Sequence, residues 1–113
     1  GVTFKPNTDD MREASSIPMI KYLNKRNSNI RYYDPSGEKH DFKKLKNVKY
    51  YNDISSACFN SDLIVLHTEW NDFKLLNFKK IVKKNKFKVF DMRNIYSPVK
   101  MKKLKIDYFG IGR

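Results

Sequence analysis

The sequence predicts an open α/β domain, a three-layer, doubly wound parallel sheet of about six strands. Three observations predict it. Short apolar strands alternate with short helical segments along the whole chain, the pattern that gives βαβ crossovers and a parallel sheet covered on both faces. The run Leu63-Ile64-Val65-Leu66 is continuously apolar, as in the buried middle of such a sheet. Three strands, the first, fourth and fifth, end in unusually polar loops. In a doubly wound sheet those loops gather at the switch point on the carboxyl edge, where ligands bind.

Each element has a local reason. Gly1 to Phe4 reads as the first strand, entered partway, because a buried parallel strand usually has more residues before its loop; the chain is expected to start inside a larger protein. Ser15 or Ser16 is placed to cap the next helix, with Pro18 in its first turn where no hydrogen bond is lost. Ile17, Ile20 and Leu23 give that helix an apolar stripe, and Asn27-Ser28-Asn29 ends it. Ile30 to Tyr33 is the second strand, closed by the turn Asp34-Pro35-Ser36-Gly37. Residues 38 to 47 form a charged connection with room for a helical turn. Val48 to Tyr51 is the third strand, and Asp53 is placed to cap a helix over Ile54 to Asn60. Leu63 to Leu66, the fourth strand, runs into His67-Thr68-Glu69-Trp70-Asn71-Asp72-Phe73. A helix over about Phe78 to Lys84 leads to the fifth strand, Lys88 to Phe90, and to the loop Asp91-Met92-Arg93-Asn94-Ile95-Tyr96. Pro98 opens a last helix, and Ile106 to Ile111 is the sixth strand. Six strands in two halves suggest a Rossmann-like order, although nothing local fixes it.

Composition narrows the functional classes. One hundred and thirteen residues, 40% of them hydrophobic, suit one domain with a core. No apolar run approaches the ~18 residues of a membrane span, and no signal-like segment opens the chain, so a cytoplasmic setting is expected. One cysteine excludes an internal disulfide framework; Cys58, on a short amphipathic segment, reads as a buried structural thiol. His40 and His67 lack companions at metal-ligand spacing, and no metal is expected. The net charge of +12 raises a nucleic-acid reading. The excess is mostly lysine, however, scattered over helices and loops. Its densest groups, Lys79-Lys80 with Lys83-Lys84 and Lys100 with Lys102-Lys103-Lys105, fall on helix faces that read as solvated. A nucleic-acid-binding α/β module is kept as the second hypothesis.

The most informative stretch is Gly1-Val2-Thr3-Phe4-Lys5-Pro6-Asn7-Thr8-Asp9-Asp10-Met11-Arg12-Glu13. A cation, a rigid proline, small polar groups, two carboxylates and a second cation follow a short apolar strand. This run resembles the G-x-x-F-K-P-x-T-D-D-x-R-E/D hallmark of the C-terminal, nucleotide-binding domain of the UDP-glucose/GDP-mannose dehydrogenase family. Tyr33-Asp34-Pro35, Thr68-Glu69-Trp70, Asp91-Met92-Arg93-Asn94-Ile95-Tyr96 and the closing Gly110-Ile111-Gly112-Arg113 resemble further family segments in family order. One departure is Ala14-Ser15-Ser16, where family members commonly carry a proline; here the proline stands at 18.

The resemblance implies roles. Phe4 and Lys5 are similar to family positions that meet the nucleotide-sugar, the ammonium near diphosphate or sugar hydroxyls, where a point charge suits phosphate. Arg93 is similar to the family arginine that reaches the substrate; its bland alternative is a structural pair with Asp91 or Glu69. Arg12 is similar to the position that approaches NAD held on a partner domain, while Asp9 and Asp10 orient it and the loop. The family oxidises a sugar alcohol to a carboxylate with a cysteine nucleophile and NAD, both on regions outside these 113 residues. The resemblance therefore implies a UDP-sugar-binding domain without catalytic residues of its own. It belongs with N-terminal and central domains, in a homodimer, in polysaccharide biosynthesis. The F-K-P-x-T-D-D-x-R and D-x-R-N runs resemble the UDP-glucose branch more than the GDP-mannose or UDP-N-acetyl-mannosamine branches. Two residues are set aside: Trp70, directly after a buried strand, reads as core, and Asp34 mimics a ribose-binding acid without the G-x-G-x-x-G loop that reading needs. Cys58 lacks the motif of the family nucleophile.

Overall fold

The computed structural model describes all 113 residues. Helix α1 (Ser16–Lys25) leads to β1 (Ile30–Tyr32), a 3₁₀ turn at His40–Phe42 and β2 (Val48–Tyr50). Helix α2 (Ile54–Cys58) then leads to β3 (Leu63–Leu66), a 3₁₀ turn at Asn71–Phe73, α3 (Phe78–Val82), β4 (Lys88–Asp91), α4 (Pro98–Lys103) and β5 (Asp107–Gly110). Every strand pair is parallel. β1 lies beside β2 with Tyr32 opposite Tyr50, and β4 lies between β3 and β5 with Phe90 opposite Val65 and Phe109. The expected α/β class and alternating order are thus present, with five strands instead of six.

The missing strand is the first. Residues 1–4 have no ladder partner. The N–H groups of Val2 and Thr3 turn instead to a side chain, both donating to Oδ2 of Asp34, at 2.8 and 3.3 Å. The segment crosses from the end of β1 to the end of β3, where the Thr68 hydroxyl donates to the Thr3 carbonyl at 2.7 Å. Gly1 permits this crossing, because a Cβ there would lie 2.6 Å from a ring carbon of Phe73.

Below the crossing, β1 and β3 do not bond to each other. An apolar slot of about 680 Å³ separates the sheets, lined by Ile30 and Tyr32 of β1, Ile64 and Leu66 of β3, and Ile20 and Cys58 of the helices. This alters the burial expected of Leu63–Leu66: Leu63 is 45% exposed and only Leu66 is buried. The buried middle of the sheet is instead β4, where Val89 is fully buried between two strands.

Helix starts follow their caps. Asp53 accepts the Ser56 N–H at 2.7 Å, Asn77 caps α3, and Ser97 caps α4 with Pro98 in its first turn. α1 is the exception. Neither serine caps it: Ser15 Oγ lies 3.0 Å from Nδ1 of His67, and Ser16 Oγ donates to the Val2 carbonyl at 2.6 Å. Both side chains tie the helix to neighbouring loops instead. Two cores result. The larger packs Leu66, Trp70, Phe73, Phe78, Val82 and Val89 around β3 to β5. The smaller joins Val2, Ile20, Tyr32 and Phe42, with Tyr32 and Phe42 edge to face at 5.2 Å.

Candidate ligand site at the carboxyl edge

The three polar loops converge at the carboxyl edge, and Arg93 is where they meet. Its backbone N–H donates to Oδ1 of Asp91 at 3.1 Å, turning the chain back after β4. Its Nε donates to the His67 carbonyl at 2.9 Å, and its Nη2 to the Phe4 carbonyl at 3.0 Å. Nε also lies 3.3 Å from a Glu69 carboxylate oxygen. One guanidinium therefore links the loops after residue 4, after β3 and after β4. It stays 38% exposed, with Nη1 directed at no acceptor within the chain. Of the two structural pairs weighed from sequence, the side-chain pair is with Glu69, and Asp91 meets only the arginine's backbone.

The loop that carries Lys5 is held atom by atom. Thr3 Oγ1 donates to the Lys5 carbonyl at 3.0 Å and accepts from Nε1 of Trp70 at 3.2 Å. The Phe4 N–H donates to the Asp10 carbonyl at 2.9 Å. Lys5 precedes Pro6, which restricts it to extended backbone; Asn7 then turns the chain with φ of 62°. Against this fixed base, the Lys5 side chain is exposed and makes no ion pair. Phe4 is 40% exposed beside it.

Arg12 stands further out, its side chain 90% exposed. Asp10 grips it: Nε donates to Oδ1 at 3.0 Å and Nη2 to Oδ2 at 2.9 Å, and the Arg12 N–H bonds the same carboxylate. Those hydrogen bonds hold the Asp10 carboxyl down to about 2. Asp10 thus orients Arg12, as expected from sequence; Asp9 is exposed and makes no ion pair.

Two buried carboxylates organise the loops of this edge. Asp34 is fully buried, its Oδ2 holding Val2 and Thr3 and its Oδ1 accepting from the backbone and hydroxyl of Ser36. Its oxygens are engaged within the chain, which leaves nothing for a ribose. Asp91 is equally buried and accepts from Arg93, Tyr96 and Tyr108. Burial and this bond push the Tyr108 hydroxyl up to about 12. Asn94, with φ of 54°, exchanges two 2.9 Å hydrogen bonds with Ile111 and clasps the end of the chain. The signal for both aspartates was their place, each directly ending an apolar strand (Tyr33-Asp34, Phe90-Asp91).

No acid/base or nucleophilic constellation accompanies this edge. Ser15 and His67 are hydrogen-bonded, but burial above all, with the nearby charge of Arg93, pushes the His67 imidazole down to about 4. A base weakened in this way is poorly matched to a serine proton near neutral pH. Trp70 is buried with its indole N–H on Thr3, a core and tethering residue, as its position after the strand suggested. Cys58 is half-buried against the larger core, and burial pushes its thiol up to about 11, which disfavours the reactive thiolate. No three His, Cys, Asp or Glu side chains are grouped to hold a metal. No helix is long and apolar enough to cross a membrane.

A parallel α/β sheet with cationic loops gathered on its carboxyl edge defines a ligand-binding domain of the doubly wound class. The chain matches the model of the UDP-glucose/GDP-mannose dehydrogenase family, UDP binding domain, over residues 1–98, and it belongs to that family. It is 37% identical over 115 residues to the UDP-glucose 6-dehydrogenase of Rickettsia felis, a match covering 99% of this chain and 26% of that protein. It is 35% identical over 117 residues to a UDP-glucose 6-dehydrogenase of Bacillus subtilis, covering 100% of this chain and 26% of the other. The chain thus spans about a quarter of the length of the curated relatives it matches. Among solved structures it is similar to a UDP-D-ManNAc dehydrogenase from Pyrococcus horikoshii, with TM-score 0.72 and 28% identity over 100% of this chain and 24% of that one. It also shares the fold of an NDP-N-acetyl-D-galactosaminuronic acid dehydrogenase from Methanosarcina mazei, with TM-score 0.83, 24% identity and 100% and 23% coverage.

Proposed function

We propose that the chain is the nucleotide-sugar-binding part of an NAD-dependent UDP-glucose 6-dehydrogenase, which oxidises UDP-glucose to UDP-glucuronate in the cytoplasm as a homodimer. The observation that carries the site reading is the bond from Arg93 to the Phe4 carbonyl beside Lys5 on one edge, with the Lys5 backbone held, its ammonium unpaired and the Arg93 guanidinium partly exposed. Lys5 takes the diphosphate as a point charge, Arg93 takes ligand oxygens through the open side of its fork, and Phe4 packs beside the sugar-nucleotide. The names of the 35% to 37% identical relatives favour UDP-glucose as the sugar nucleotide.

The parent enzyme supplies an N-terminal NAD-binding domain and a central region with the thiol nucleophile. NAD bound there would supply the hydride acceptor for the oxidation. This chain has no glycine-rich dinucleotide loop, and Asp34 is fully engaged; the group fits a neighbouring domain better than this edge. Arg12, oriented outward by Asp10, is the residue that reaches across to it.

The test is an NMR titration of the 113-residue chain. UDP or UDP-glucose is expected to shift Lys5, Arg93 and their neighbours even at millimolar affinity. Duplex DNA at physiological salt should shift the exposed lysines of α3 and α4 only weakly, and salt should erase that binding. Silence toward UDP with strong DNA shifts would overturn the reading.

A further inference from the structure

The carbonyls of three consecutive residues at the candidate site are each held by a side chain. Thr68 Oγ1 holds that of Thr3 at 2.7 Å, Arg93 that of Phe4 at 3.0 Å, and Thr3 Oγ1 that of Lys5 at 3.0 Å. The last bond differs from the others because its donor is local and is itself held. Trp70 Nε1 donates to Thr3 Oγ1 at 3.2 Å from 67 residues away. The indole occupies one lone pair of the hydroxyl oxygen, which favours the proton pointing away from it, and the acceptor it meets there is the Lys5 carbonyl. Thr3 is 1% exposed and Trp70 9%, so the bond between indole and hydroxyl is shielded from water. Packing alone would be served by an apolar side chain at each position; the directed polar chain between them ends on the backbone of Lys5.

We infer that Thr3 and Trp70 are positioning residues for the nucleotide-sugar site: the relay from the Trp70 indole through the Thr3 hydroxyl to the Lys5 carbonyl sets the direction in which Lys5 leaves the loop. The inference rests on the proposed reading of this edge as the diphosphate site. Lys5 has a long, flexible side chain whose terminal charge makes no ion pair in the chain. Its useful placement depends on how its backbone is fixed. Pro6 restricts the residue from the following side and the Thr3 hydroxyl fixes its carbonyl. The Cα–Cβ bond of Lys5 then leaves the loop in a fixed direction at the same edge as Arg93, and this ordering of the backbone is complete before the ligand arrives.

The experiment uses the full-length enzyme, with UDP as binding probe and UDP-glucose as substrate. Thr3→Val keeps the shape and removes the hydroxyl; Thr3→Ser restores it without the methyl; Trp70→Phe keeps most of the ring and removes the N–H. Thr3→Val is expected to raise KM for UDP-glucose and Kd for UDP about tenfold with kcat within about twofold, and Thr3→Ser to recover most of both. Trp70→Phe should raise them severalfold, and should add little in the Thr3→Val background because the relay is already cut. If Thr3→Val does not fold, Trp70→Phe alone with Thr3→Ser as its control decides the matter. An enzyme with unchanged KM and Kd in the folded variants loses the positioning role while the site reading stands. Equal impairment of Thr3→Val and Thr3→Ser would assign Thr3 to packing and overturn the relay. A wild-type enzyme that neither binds UDP nor turns over UDP-glucose overturns the site reading, and this inference with it.

Discussion

Arg93 and Phe4, 89 residues apart in sequence, are joined by a 3.0 Å hydrogen bond from Nη2 to the Phe4 carbonyl. The same guanidinium holds the His67 carbonyl, so the arginine proposed to meet the ligand also ties together the loops that form its site. Arg93→Ala in the full-length enzyme should therefore reduce kcat/KM for UDP-glucose about tenfold to hundredfold, from charge-assisted bonds of ~1.5 to 3 kcal/mol. Arg93→Lys separates the two roles: it keeps the charge but loses the fork. Full activity in the lysine variant at normal Tm would mean that charge alone suffices.

The isolated chain should show no NAD-dependent oxidation of UDP-glucose. Its one thiol is pushed up to about 11 by burial and lies against the core, and no dinucleotide loop is present. An absorbance assay for NADH is sufficient; turnover by the 113-residue chain would contradict the reading of this chain as the binding part.

Asp34→Asn should destabilise the domain by about 1 to 3 kcal/mol, the cost of leaving a buried donor unpaired. Both carboxylate oxygens accept, Oδ2 from Val2 and Thr3 and Oδ1 from Ser36. Either orientation of the amide sets its NH₂ against another donor. Chemical denaturation measures the change, and Lys5 amide shifts should follow, since the same loop carries that residue. A neutral substitution would show that the loop finds other partners.

Acid should weaken the fold in a defined window. The His67 imidazole is pushed from 6.5 to about 4, burial being the first cause. Between those values the unfolded chain binds a proton at His67 that the folded chain does not, so the contribution of His67 is full above about pH 6.5 and falls toward pH 4. The loss is at most about 3 kcal/mol at the full shift. Asp10, held down to about 2, titrates below this window. Tm measured at pH 7 and 4.5 should fall in the native chain and change much less in His67→Gln; the same fall in both would place the acid sensitivity elsewhere.

The parts of the fold legible in sequence were those decided locally. Asp53, Asn77 and Ser97 precede their helices and cap them, and the alternation of apolar and polar segments located β1 to β5 along the chain. The convergence of the three loops was legible too, because a doubly wound sheet leaves its polar strand ends on one edge. What was not legible depends on distant partners. Residues 1–4 have strand-like composition, yet Asp34 claims two of their N–H groups, and no window of sequence near Val2 contains that carboxylate. Ser15 and Ser16 have the composition of a cap and serve instead His67 and Val2. Thr3, an ordinary strand residue by pattern, connects Trp70 to Lys5.

The slot between β1 and β3 bears on how the domain behaves in solution. Each of those strands presents one edge of free N–H and C=O groups beside apolar side chains, and such an edge is a template on which a foreign strand can add. The net charge of +12 opposes encounters between copies. That repulsion weakens as salt shortens its reach, to about 8 Å at physiological ionic strength. The isolated domain should therefore be most soluble in dilute buffer and begin to self-associate as salt is added, so colloidal behaviour and fold stability will respond to ionic strength in different ways.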